Sequence, residues 1–296
     1  MLAGGTGGAA LAAGIRAIAP GHQLTVIANT ADDDDFWGLR VCPDVDAVIY
    51  RLAGMFNDKT GYGIKGDTFG VLEALRRAGE EVWFQIGDGD FATHLVRTEM
   101  LRGGATLTEV TLELCRRFDI EARVLPMSDD VFRTRFATDQ GQLSFQEYFV
   151  REHLKPKLRD IHFATPGPAH ATPEVIDSLH DADLVVIGPS NPLISIDPIL
   201  QLTREAIARE RTVAVTPIVG GVALKGPTVE MMRAMSRDPS PAGIARSYAE
   251  IASCFVLDER DRDQSAAIEA LGYRVVVADT VMRDGGKTLA RAVLGA

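Results

Sequence analysis

Short apolar runs, each ending in glycine, proline or aspartate and leading into a helical pattern, recur along this chain and constrain its fold more than any other feature. Residues 24–28, 122–126, 183–187, 212–216, 254–257 and 273–278 are near-continuous apolar stretches, as strands covered by helices on both faces require, and 82–86 reads as a further short strand. Strand and helix in alternation predict an α/β fold, a doubly wound, mainly parallel Rossmann-like sheet. One stretch breaks the rhythm. Phe132, Phe136, Leu143, Phe145 and Phe149 alternate around D-Q-G-Q, which predicts a β-hairpin in a smaller lobe inserted around 131–165 of a single domain spanning 1–296.

In open α/β sheets ligands bind beyond the carboxyl ends of the strands. Five predicted ends carry polar turns: A-G-G-T-G-G, N-T-A-D-D-D, I-G-D-G-D, P-M-S-D-D and I-G-P-S-N-P. Together they predict a wide pocket for a phosphorylated ligand, with glycine loops and helix N-termini for its oxygens and carboxylates for a metal. The first turn lacks the Lys and Ser/Thr of a Walker loop and is not a G-x-G-x-x-G fingerprint, and only Met1, Leu2 and Ala3 precede it, which leaves open a truncated start. The second is the most charged. Residues 29–50 carry six carboxylates, Asp32 to Asp35, Asp44 and Asp46, between an apolar strand and a helix started by Pro43. Such crowding calls for a cation, and hard oxygen ligands suit Mg²⁺ bridging to a phosphate. Asp44 and Asp46 sit two apart, so their side chains diverge by about 200° on a helix.

Composition narrows the function. The 296 residues are 46% apolar, enough for one large α/β domain, and a net charge of −10 without a basic run excludes a nucleic-acid surface. No apolar run approaches the roughly 20 residues that span a bilayer, and no secretory leader pattern is present. Cys42, Cys115 and Cys254 are odd in number and far apart, as expected of a reduced cytoplasmic protein with no membrane partner.

The G-G-T-G-G turn, N-T-A-D-D-D-x-F-W-G-L-R-V-x-P-D-V-D, the G-D-T-F-G of 66–70, G-D-x-D-x-A-T-H, L-P-M-S-D-D, G-P-S-N-P-x-x-S-I-x-P-I and D-E-R-D together resemble the CofD/FbiA family of 2-phospho-L-lactate transferases, across essentially the whole chain. The resemblance implies an enzyme of coenzyme F-420 biosynthesis. Such an enzyme moves a 2-phospholactyl or phosphoenolpyruvyl group from a guanosine diphosphate conjugate to the ribityl hydroxyl of the deazaflavin Fo, with Mg²⁺, releasing GMP, and is expected as a homodimer. It further implies that Asp44, Asp46 and His94 carry the chemistry, with Asp44 and Asp46 as metal ligands. Substrate contacts are expected from Gly5, Thr6, Gly7, Asn29, Thr30, Asp67, Gln85, Gly87, Asp88 and Asp90, and the nucleotide is expected at Ser128, Asp129, Gly188, Pro189, Ser190 and Asn191. Some family members carry a basic residue where Gln85 stands, just before G-D-G-D. The rival readings are a non-catalytic nucleotide-sugar-binding regulator similar to the gluconeogenesis factor group, which shares the early glycines but not F-W-G-L-R-V-x-P-D, and a nicotinamide dehydrogenase, which the missing fingerprint disfavours.

Overall fold

A computed structural model describes residues 1–296. Seven strands form one sheet: β1 (Leu2–Ala3), β2 (Thr25–Ala28), β3 (Arg123–Pro126), β4 (Val185–Ile187), β5 (Thr212–Val215), β6 (Cys254–Asp258) and β7 (Arg274–Ala278). All neighbours are parallel, in the order β7-β6-β5-β4-β1-β2-β3. The chain winds outward from β1 through β2 to β3, then returns to β4 on the other side of β1 and winds outward again. The reversal between β1 and β4 is the topological switch point, where the carboxyl ends of two strands splay apart and leave a crevice.

Alternate strand residues feed two separate cores. Leu2, Ile27, Leu125, Ile187, Ala214 and Phe255 pack into one, and Ala3, Val26, Val124, Val186, Val213 and Val256 into the other, one beneath each face of the sheet. That division is the physical basis of the unbroken apolar runs in the sequence. β1 has only two residues, yet it is central, with Leu2 paired to Ile27 on one side and to Ile187 on the other.

Helix α1 (Gly5–Ile18) leaves β1 directly, and its alanines let it lie close against α2 (Pro43–Leu52), which buries Val45, Val48 and Ile49. Helices α3 (Gly70–Arg77), α4 (Asp88–Arg102) and α5 (Leu107–Arg117) lead on to β3, and Thr106 with Glu109 closes a capping box on α5. The predicted hairpin is present as Arg133–Thr138 and Gly141–Ser144, and Leu158–Ala164 adds a third antiparallel strand. No helix is long and apolar enough to cross a membrane.

Two expectations are overturned. Residues 82–86 pair with no strand: their aromatic character serves packing, with Phe84 stacked on Phe36 at 3.9 Å and Trp83 set edge-on to Phe36 at 5.3 Å. The I-G-D-G-D turn therefore follows an irregular segment rather than a sheet strand. The acidic run also divides, because Asp34–Phe36 and Leu39–Val41 form a hairpin that carries Asp34 and Asp35 away from Asp32 and Asp33.

Candidate active site

The site is built on the switch point. After β1 the chain turns within Gly4 into α1, and close approach decides the composition of that turn. A Cβ on Gly4 would lie 2.3 Å from Ser195 Cβ and 2.7 Å from Asp44 Oδ2, and a Cβ on Gly7 would lie 2.6 Å from the Pro189 carbonyl. The loop after β4 thus presses on the glycine turn. Ser190 joins them, its Oγ accepting from Gly4 N at 3.1 Å and donating to Gly4 O at 2.7 Å.

Asp44 enters this corner from the first turn of α2. The Asn29 side chain, at the end of β2, donates to Asp44 Oδ2 at 2.9 Å and to Asp32 Oδ1 at 3.2 Å, so one amide bridges two buried carboxylates, and the Gly5 amide donates to Asp44 as well. Burial pushes the Asp44 carboxyl up to about 6, against the pull of Asn29 and Gly5. Asp32 is pushed well above the usual carboxylate range by burial and then by the charges of Asp44 and Asp33. Asp33 rises to about 7 through burial, and neither of its oxygens has a hydrogen-bond partner. Three buried carboxylates, offset only in part by the Arg133 charge that acts on Asp32 and Asp33, make a hard oxygen donor set, which fits a divalent cation of the Mg²⁺ type.

A second constellation stands beside the first. Asp46, two residues on, turns away from Asp44 and accepts from two of the three guanidinium nitrogens of Arg97, Nη1 at 3.1 Å and Nη2, while Arg97 is fully buried. His94 Nδ1 lies 3.1 Å from Arg97 Nη1 and 3.6 Å from Asp46, and His94 Nε2 lies 3.2 Å from Asp90 Oδ1. Tyr50 donates to Asp90 at 2.6 Å. Burial would raise the Asp90 carboxyl, but the adjacent His94 ring and the hydrogen bond from Tyr50 outweigh it and hold the group below its ordinary value. Ligand atoms of Asp46, Asp90 and His94 fall within 4.8 Å of one another, close enough by spacing to share a metal ion.

Both constellations open on one cavity of about 280 Å³, lined among others by Gly5, Thr6, Asp44, Asp46, Gln85, Asp90 and His94. Seven residues singled out from the sequence therefore converge. Asp90 and Gly63 also line an adjoining cleft of about 590 Å³ with Asp67 and Gly87, and Phe84 is shared with an aromatic cleft of about 540 Å³ that holds Phe36, Trp37 and Trp83. Asn29 and Ser190 stand just behind the wall as supports, and so does buried Thr30, whose carbonyl accepts from Arg133 at 3.2 Å.

The remaining predicted residues have structural partners. Asp67 accepts from the Gly89 and Asp90 amides at the start of α4, and Asp88 accepts from the Gly70 and Val71 amides at the start of α3, so each caps the other's helix. Gly87 is glycine because a Cβ there would meet Asp67 at 2.2 Å. Ser128 donates to the His170 carbonyl at 2.6 Å, Asp129 accepts from Thr108 at the start of α5, and neither lines the cavity. Asn191 caps its own turn by accepting from Leu193 N at 2.9 Å, and Gly188 N pairs with Leu2 O at 3.0 Å. The sequence reading missed Arg97 and Tyr50. Both were visible as helical spacing: Asp90, His94 and Arg97 share one face of α4, and Tyr50 follows Asp46 by one turn of α2. Gln146 was missed too. It reaches the cavity from just after the antiparallel strand Gly141–Ser144 and donates to the Asp32 carbonyl at 2.9 Å, a contact with no local signal.

The fold and the sequence have counterparts among known proteins. A crystal structure of a UPF0052 family protein from Bacillus halodurans superposes with a TM-score of 0.62 over 99% of this chain and 98% of that one, at 17% identity, a likeness of fold alone. The 2-phospho-L-lactate transferase of Methanosarcina acetivorans is 39% identical, covering 100% of this chain and 97% of its own, and that of Methanopyrus kandleri is 40% identical over 99% and 96%. A phosphoenolpyruvate transferase from Streptomyces griseus is 38% identical over 99% of this chain and 95% of its own. The family model described as 2-phospho-L-lactate transferase CofD matches residues 1–293, and with full-length relatives at this identity the chain belongs to that family of transferases.

Proposed function

We propose that the protein transfers a 2-phospholactyl or phosphoenolpyruvyl group from a guanosine diphosphate conjugate to the terminal ribityl hydroxyl of the deazaflavin Fo. The hydroxyl oxygen attacks the phosphorus that bears the three-carbon acid, the bond from that phosphorus to the GMP oxygen breaks, and the hydroxyl proton leaves to solvent or a carboxylate. The observation that carries this reading is the placement of Asp44 on the amide end of α1 at the switch point, within one cavity that also holds Asp46, Asp90 and His94. Reactions of this kind ask a protein to align the hydroxyl and to neutralise the moving charge. Asp32 and Asp44, oriented by the Asn29 amide that donates to both, are the residues proposed to hold Mg²⁺, which supplies that neutralisation when bound.

No nucleophile stands next to a free base in the cavity, which favours direct attack over a covalent intermediate. Arginine has only donors, so His94 Nδ1 accepts from Arg97 and the ring proton sits on Nε2 facing Asp90. His94 is thereby a holder of the α4 wall rather than a base. Incubation with Fo, Mg²⁺ and each guanylylated three-carbon acid, followed by mass analysis, tests the proposal. An Fo adduct heavier by one phospholactyl or phosphoenolpyruvyl group, together with GMP, is the expected product. Retention of Fo without any adduct would leave the non-catalytic regulator reading in its place.

A further inference from the structure

The trio Asp46, Asp90 and His94 has metal-site spacing, but its charge and its lone pairs are already committed. Arg97 lies inside the cluster with no exposure, bonds both Asp46 oxygens, and approaches His94 Nδ1 at 3.1 Å. His94 consequently offers no lone pair: Nδ1 is engaged by the guanidinium and Nε2 carries the proton that faces Asp90. A divalent ion placed between these three groups would stand beside a buried guanidinium that cannot be deprotonated, with only two carboxylates to bind it. The Asp32 and Asp44 side differs, since no guanidinium or ammonium group hydrogen-bonds either carboxylate there.

We propose that Arg97 is the resident cation of the Asp46–Asp90–His94 cluster, filling the place of a metal and fixing Asp46 as a metal-free hydrogen-bond acceptor for the attacking hydroxyl. Each Asp46 oxygen keeps a second lone pair beyond its bond to Arg97, and Asp46 lines the cavity where a hydroxyl arrives. The identity of that hydroxyl rests on the transferase reading; the resident-cation assignment does not. Arg97 is on this view a positioning residue, acting through Asp46.

Mn²⁺ binding to the full chain, counted by electron paramagnetic resonance and calorimetry, tests the assignment without reference to turnover. Asp90→Asn and His94→Ala are expected to keep the parent's number of Mn²⁺ ions, with Kd within about twofold. Arg97→Met is expected to gain one ion, with nitrogen coupling from the His94 imidazole, and Arg97→Met/His94→Ala to lose that coupling. Imidazole coupling in the parent, loss of an ion in Asp90→Asn, or a folded Arg97→Met that gains nothing would each overturn it. Where Arg97→Met fails to fold, the two parent-background variants still decide. Arg97→Lys keeps the charge but not the fork, so its ion count should match the parent's while kcat falls at least tenfold with donor KM within twofold. A fall confined to KM would remove the positioning role. Failure of the transferase reading would show instead as a parent that yields no Fo adduct while the ion counts hold.

Discussion

At the scale of single residues, Asp46 couples stability to chemistry. Its position near the positive end of α2 suggests a carboxylate free to meet a ligand, and a neutral replacement there would then be tolerated by the fold. The pairing with fully buried Arg97 changes that expectation. Asp46→Asn strands a buried guanidinium, a change that typically destabilises by about 3–5 kcal/mol. We therefore expect Asp46→Asn to lower the urea midpoint substantially as well as to reduce turnover. A variant as stable as the parent would mean that the ion pair contributes nothing to folding. The acidic corner makes the opposite kind of prediction. Asp44 and Asp33 titrate near 6 and 7 in the folded chain against 3.8 unfolded, so between about pH 4 and 7 the folded state binds more protons and stability falls as pH rises. For Asp44 alone the shift corresponds to about 3 kcal/mol at most. Unfolding free energies measured across this window should decline toward neutrality without divalent ions, and a profile rising toward pH 7 would contradict the burial of these carboxylates. Because a metal binds the ionised forms, added Mg²⁺ should raise the Tm more at pH 7.5 than at pH 5.

Among the elements, the contact between the turn after β1 and the loop after β4 sets the shape of the pocket mouth. Gly7→Ala would drive a methyl group against the Pro189 carbonyl, which lies 2.6 Å from the Cβ position. Helix propensity favours alanine by about 1 kcal/mol, whereas overpacking against backbone costs about 1–3 kcal/mol, so a small net loss of stability is expected. Donor KM should rise by more than tenfold, since the strain falls on the pocket wall; an unchanged KM would show that the two loops move apart freely. Much of this architecture was legible beforehand. The strands buried on both faces announced themselves as apolar runs, and the glycine and acidic turns marked the ligand edge. Residues 82–86 misled because aromatic packing and β-pairing favour the same residue types. Asp67, Asp88 and Asp129 are ambiguous in sequence for a related reason: aspartate suits a helix cap as well as a ligand, and only the fold shows which amides stand in front of it.

For the whole molecule, strand order was the part that sequence could not supply, because it depends on which side of β1 the chain returns to after β3. That return creates the crevice and brings Ser190 and Pro189, from the second half of the chain, onto Gly4 and Gly7 in the first. The segment after the antiparallel hairpin adds Gln146. A ligand spanning this crevice touches both halves of the sheet and that segment together, so its binding should be read by global unfolding rather than by a local probe. A ligand present at 100 times its Kd stabilises the folded state by about 2.7 kcal/mol, or about 4 °C in Tm for a chain of 296 residues. GDP with Mg²⁺ is expected to raise the Tm by that amount. With excess chelator the shift should fall below about half, since the buried carboxylates around Asp44 then repel the diphosphate with no cation between them. Fo alone should raise the Tm whether or not chelator is present, because Asp46 is already balanced by Arg97. An equal GDP shift with and without chelator would remove the metal from donor binding, and a shift with NAD but none with GDP would move the protein's ligand outside the transferase reading altogether.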